Sequence, residues 1–255
     1  MSALHLPAEL LDHIVDHLHN IKSTLRNCCL VSKSWIPRAR KHLFAEVWFN
    51  TGEHLESWKE AFPDPSTSPA CYTKTLLINC PHIVTTTDAE PGGWIRSFSH
   101  VVHLTLGSFD KLTGSLLPFH GLSPIVKSLH VGLIAPSPSQ TFNLILSFPL
   151  LEDLTMTNSY NGATDDSDGS TVQPSNPPTF TGSLKLVMIR MEPITRQLLS
   201  LPGGIHFRKI ALRWDLEDDI SLTTALVEGC SHTLESLEII CDRLGAFIRH
   251  LRSYW

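Results

Sequence analysis

Seven times in this 255-residue chain an apolar pair two residues apart returns, usually with a further apolar residue three before it. The pairs are Leu76 and Ile78 in TKTLLINC, Leu104 and Leu106 in VVHLTLGS, Leu129 and Val131 in VKSLHVGL, and Leu154 and Met156 in LEDLTMTN. They continue with Val187 and Ile189 in LKLVMIRM, Ile210 and Leu212 in FRKIALRW, and Leu237 and Ile239 in LESLEIIC. Alternation with period two marks a short strand with one buried face. The first members of the pairs step along the chain by 28, 25, 25, 33, 23 and 27 residues. Units so short cannot bury their apolar sides alone and must be covered by their neighbours. Between the strands, TFNLILSFP, ITRQLLSLP and ISLTTALVEGC have helical apolar spacing and end in Pro or Gly. Each unit therefore reads strand, turn, helix. The long step holds SYNGATDDSDGSTVQPSNPPTFT, rich in Ser, Thr, Asp, Gly and Pro, which predicts a disordered insertion over about 159–181.

The pattern resembles a leucine-rich repeat, whose period of about 20 to 29 residues matches all but one step. The resemblance implies an α/β fold: a solenoid with parallel strands on one face and helices on the other, here over residues 71–255. One departure stands out. The family carries Asn or Cys three residues after the last leucine, whereas Cys80, Asn158 and Cys241 sit two residues after it, so the repeats are degenerate. Strand residues alternating with the buried set should line the open face of the sheet. These are His103, Thr105, Ser128, His130, Thr155, Met188, Arg190, Arg213 and Glu238, the candidate target contacts.

The first fifty residues have a different period. LPAELLDHIVDHLHN, residues 6 to 20, predicts a helix from about Pro7 to His19, with Pro7 in its first turn and Glu9 and Asp12 complementing the helix dipole. At about 100° per residue, Leu10, Ile14, Leu18, Leu11 and Val15 span an arc wider than a single buried stripe, with Asp12, Asp16 and His19 on the other side. Ser23 or Thr24 caps a second helix, LRNCCLV, and SKSWIPRARKHLFAEVWF, residues 32 to 49, gives a third helical pattern through Trp35, Ala39, Leu43 and Val47. Three helices of this size form a very small core. One edge of the first helix is expected to pack on Leu30, Trp35 and Leu43, leaving the rest as an apolar patch for another protein.

The run L-P-A-E-L-L-D-H-I-V, then Leu18, then L-R-N-C-C-L-V-S-K-S-W and a basic stretch ending L-F, resembles the F-box. That motif docks substrate receptors onto the small adaptor of SCF-type cullin–RING ubiquitin ligases. The resemblance covers residues 4 to about 49. It implies that Leu6, Pro7, Leu10, Ile14, Leu18, Leu25, Leu30, Val31 and Trp35 form the adaptor-contacting and module-core set. The expected organisation is an F-box helical module over 1–50, a linker over 51–70 and the repeats beyond. The expected function is substrate recognition for such a ligase, with a Skp-type adaptor, a cullin–RING ligase and an unknown protein target as partners. The alternative is an interaction scaffold with no ligase role.

Composition narrows the remaining classes. A net charge of -5 argues against gripping nucleic-acid phosphates, and the basic cluster Lys33, Arg38, Arg40 and Lys41 with Trp35 and Arg26 reads as a solvated helix face. The start, with Glu9 and Asp12 and no basic run ahead of an apolar stretch, does not read as a secretory signal, and the longest near-apolar stretch, FNLILSFPLL, is too short to span a bilayer. Six cysteines without a C-x-x-C pair fit reduced thiols, hence a cytoplasmic or nuclear protein. His13 and His17, one helical turn apart beside Asp16 and His19, have zinc-ligand spacing but no third ligand cluster. ATDDSDGST puts Thr164 and Ser175 where a calcium loop needs its first and twelfth ligands. No nucleophile elbow, phosphate loop, dinucleotide fingerprint or H-E-x-x-H is present, so the chain is expected to be neither an enzyme nor a cofactor binder.

Overall fold

The computed structural model describes residues 7–79, 93–107, 119, 122–132, 138–159, 178–189, 192–214 and 220–241. Three α-helices come first: α1 (Ala8–His17), α2 (Lys22–Val31) and α3 (Ile36–Leu43). Strands β1 (Glu46–Phe49), β2 (Thr75–Ile78), β3 (His103–Leu106), β4 (Ser128–Val131), β5 (Asp153–Ser159), β6 (Ser183–Ile189), β7 (Lys209–Trp214) and β8 (Ser236–Cys241) follow. Interleaved with them are α4 (Gly52–Ala61), α5 (Pro138–Leu146), α6 (Glu192–Leu199) and α7 (Ile220–Gly229). The strands lie side by side in chain order, and every pairing is parallel. A parallel neighbour requires the chain to travel back each time. With strict sequential order, the result is an α/β coil in solenoid-like succession.

Register explains the apolar pairs. Val47, Leu76, Leu104, Leu129, Leu154, Leu184, Ile210 and Leu237 form one row across the sheet. A second row joins Phe49, Ile78, Leu106, Val131, Met156, Leu186, Leu212 and Ile239. Both rows are buried from β1 through β7. At the leading end of each strand a backbone link passes from coil to coil. Lys74 N–H donates to Ala45 O, Val102 to Lys74, Lys127 to Val102, Glu152 to Lys127, Gly182 to Glu152, Arg208 to Gly182 and Glu235 to Arg208, at 2.7 to 3.1 Å. Gly182 is required in that file, because a Cβ there would lie 2.9 Å from Glu152 O and 2.5 Å from Asp153 Oδ1. The same Oδ1 accepts hydrogen bonds from Ser183 N–H and Oγ–H.

Four sequence expectations are corrected. The third helical pattern does not run to residue 49: it breaks into a short 3-10 helix (Lys33–Trp35), α3, and then β1, whose Glu46-Val47-Trp48-Phe49 alternates exposed and buried. The sheet therefore begins inside the expected helical module. Residues 51–70 are not a bare linker, since Thr51 Oγ accepts from His54 N–H to cap α4, and Leu55 and Trp58 of α4 pack into the core. In β6 the pair in register with the neighbouring apolar pairs is Leu184 and Leu186, not Val187 and Ile189, which changes the steps on either side from 33 and 23 to 30 and 26. Finally, Phe180, inside the expected insertion, is fully buried against Phe207 with ring centroids 5.1 Å apart. The rest of the insertion, 160–177, including the acidic loop, lies outside the described residues.

The helical module joins the coil through an aromatic cluster. Phe44 meets Trp58 edge to face at 5.8 Å, and Trp58 continues to Phe49 at 5.7 Å and Phe98 at 5.7 Å. Such pairs contribute about 0.5 to 1.5 kcal/mol beyond their area burial.

Candidate functional site

The wide arc of α1 divides in two. Leu11, Val15 and Leu18 recur at positions i, i+4 and i+7 on the inward side, with Val15 buried and the other two half-buried. Leu10 and Ile14 stand on the outer side, 51% and 45% exposed. On α2 the inward residues are Leu25 and Cys28, which form a small core with Val15 and Ala39 of α3; Leu18, Trp35 and Leu43 pack against it. Leu30 and Val31 point away, 85% and 71% exposed. The expectation that Leu30 would lie beneath α1 is therefore wrong. Placing Leu25 and Cys28 toward the core leaves positions 30 and 31 on the outer side of the last turn.

The predicted docking set thus separates. Leu25 is core, and Leu18 and Trp35 are supporting residues, whereas Pro7, Leu10, Ile14, Leu30 and Val31 are surface. Leu6 lies outside the described residues. Ile21 is a further exposed apolar side chain that the sequence reading passed over as part of a polar break. Burial of each such exposed apolar side chain would release about 1.5 to 3 kcal/mol, which makes this surface the candidate docking site.

An ionic tie, not expected from sequence, fixes α1 against α3. Both Asp16 carboxylate oxygens accept from the Arg38 guanidinium, with Nε at 2.6 Å, and Oδ1 also contacts His42 Nε2 at 2.7 Å. The Arg38 guanidinium and then the His42 ring hold the Asp16 carboxyl well below the usual carboxylate range, and Arg38 is raised in turn. Arg38 was expected to be part of a solvated face; it is a clamp instead. His17 Nδ1 is engaged by the His13 carbonyl at 2.9 Å. Among the described residues no group of three or more His, Cys, Asp or Glu side chains converges on a metal-sized site.

On the open face of the sheet, His103 pairs in register with Ser128, and Thr105, His130 and Thr155 form a row. The row continues through Lys185, Ala211 and Glu238. Arg213 and Glu238 are exposed, as are Leu237, Ile239 and Ile240 in the last described strand. Met188, opposite Asn158, falls out of step with that row because of the β6 register, and Arg190 lies outside the described residues. Lys185 takes the place assigned to them. His130 Nε2 lies 3.1 Å from Thr157 Oγ, and burial, then the Lys185 ammonium, pushes the imidazole down from its ordinary value. The row is thus polar and of mixed charge in its middle, flanked by Trp48 and Leu77 at one end, and burial with Lys185 disfavours the charged form of its central histidine.

Among the described residues no helix is long and apolar enough to cross a membrane. No family model, curated protein or solved structure matches the chain.

Proposed function

We propose that this chain is a substrate-receptor subunit of an SCF-type cullin–RING ubiquitin ligase, with an F-box formed by α1 to α3 and degenerate leucine-rich repeats formed by the coils that follow. The observation that carries the reading is the outward set Leu10, Ile14, Leu30 and Val31, which stays exposed beside the described later segments. Four such side chains offer several kcal/mol toward an adaptor interface before association costs are subtracted. The corrected repeat steps of 28, 25, 25, 30, 26 and 27 support the repeat reading.

In this role the chain performs no chemistry. It raises the effective concentration of a target, held on the open sheet face, beside a charged conjugating enzyme in the cytoplasm or nucleus. The test is co-expression with a Skp-type adaptor and its cullin. The wild-type chain is expected to pull down both and support ubiquitin transfer. Leu10→Asp with Val31→Asp is expected to abolish adaptor capture while thermal melting stays unchanged, since both side chains are exposed. Adaptor capture unaffected by these substitutions overturns the reading. Capture of adaptor without cullin assigns the chain to the scaffold class.

A further inference from the structure

A groove of about 390 Å3 lies where the helical module meets the first strand. All of β1 lines it, Lys22 and Arg26 of α2 contribute to it, and His54 and Trp58 of α4 complete it. β1 is the end of the strand order, with β2 its only neighbour among the described strands. Ala45 O and Phe49 O are turned toward β2, where they accept from Thr75 N–H at 3.0 Å and Asn79 N–H at 2.8 Å. Backbone groups alternate in direction along a strand, so the N–H and C=O of Glu46 and Trp48 are turned to the free edge. An open edge of this kind is a template for an added strand unless Pro, a bulge or a covering element blocks it. The sequence EVWF has no proline, and the aromatic contacts of Trp58 with Phe44 and Phe49 make one wall of the groove rigid.

Charge identifies the added strand. The chain as a whole is acidic, with a net charge of -5, yet the groove sets Lys22 and Arg26 against the single carboxylate of Glu46. The sequence of α2, KSTLRNCCLV, has no acidic residue to offset its two cations. Lys22 Nζ sits 5.8 Å over the ring of Trp48, itself 57% exposed, so one lip combines an ammonium with an open aromatic face. Cations at a sheet edge that carries apolar walls complement an extended peptide alternating carboxylates with apolar side chains.

We propose that the free edge of β1 takes up an extended acidic peptide as an added strand. Its backbone pairs with Glu46 and Trp48, its carboxylates meet Lys22 and Arg26, and an apolar side chain rests on Trp58. Lys22 and Arg26 lie two turns and one turn before Leu30 along the same exposed face of α2, so this site adjoins the outward apolar set; the inference does not depend on adaptor binding.

The test uses the full chain and fluorescence anisotropy with three labelled octapeptides: one alternating Glu with Val, its Lys counterpart, and the Glu peptide N-methylated at alternate amides. The acidic peptide is expected to bind at least about tenfold more tightly than the Lys peptide, and N-methylation is expected to abolish binding, because it removes the donors that strand addition requires. Lys22→Glu with Arg26→Glu is expected to weaken binding by about tenfold or more with an unchanged melting temperature. In the wild-type chain, amide exchange at Glu46 and Trp48 is expected to slow on addition of the acidic peptide. Absence of saturable binding, equal binding of the acidic and Lys peptides, retained affinity after N-methylation, or unchanged exchange at Glu46 and Trp48 each overturns the proposal.

Discussion

In the helical module the buried apolar set is Val15, Leu25, Cys28 and Ala39, whereas in the coil two rows of apolar side chains pass through strand after strand. A residue in the coil has neighbours of its own kind on both sides, so losing one leaves the rows connected. In the module a single set of four side chains forms the whole buried core, with α1 and α2 both packed on α3, and further support comes from the aromatic junction and the Asp16 tie to Arg38 and His42. The difference teaches that the coil holds its shape by redundancy. The module holds its shape by a few specific contacts, which suits the proposed role, in which another protein completes its apolar exterior.

The contrast breaks most easily at Leu25. Leu25→Ala is expected to cost about 2 to 5 kcal/mol, enough to strip amide-exchange protection from α1 to α3 while the strands stay protected. Leu129→Ala removes the same atoms from the coil and is expected to lower its denaturation midpoint without releasing any one segment. If both substitutions lower protection everywhere alike, module and coil are one cooperative unit and the distinction fails. Next comes Gly182→Ala, which drives a Cβ against the Glu152 carbonyl and is expected to cost the coil about 1 to 3 kcal/mol by urea denaturation. Gly52, where a Cβ meets nothing within 4 Å, is its control.

The smallest effect is an acid sensitivity confined to the module. The folded carboxyl of Asp16 sits below its ordinary value of 3.8, so its contribution is fully present above that pH and is lost as the pH falls through the lower folded value. Amide exchange in α1 and α3 should accelerate in the acid range below about pH 4. Asp16→Asn should remove that pH dependence, and the rows of the sheet should not follow it. Acid acceleration that persists in Asp16→Asn assigns the sensitivity to other carboxylates.

Much of the coil was legible because strict alternation and a near-constant step leave little freedom: Leu104 and Leu106, or Ile210 and Leu212, admit one face only. β1 was missed because Val47 continues the four-residue spacing of Trp35, Ala39 and Leu43, so a helical count runs into the strand without a break. β6 was misregistered because Leu184-Lys185-Leu186-Val187-Met188-Ile189 contains two overlapping alternations, and only pairing with Leu154 and Met156 selects between them. At the candidate docking surface, the width of the apolar arc on α1 was readable. Which edge faces outward was not, since it depends on where α3 sits. The Asp16 tie joins residues 22 and 26 positions apart and leaves no local signature.

The file of backbone links from Ala45 to Glu235 runs through every coil at one rim, whereas at the opposite rim the described links, Asn79 to Phe49, Gly107 to Ile78 and Gly132 to Leu106, join only the first four strands. Gly182 still reaches Glu152 at 3.1 Å across the longest interval, 30 residues from Leu154 to Leu184. The extra chain between Ser159 and Pro178 therefore leaves that link intact. A foreign recognition loop grafted there, after Ser159 and ahead of Pro178, would be carried by a scaffold that never has to renegotiate its own alignment.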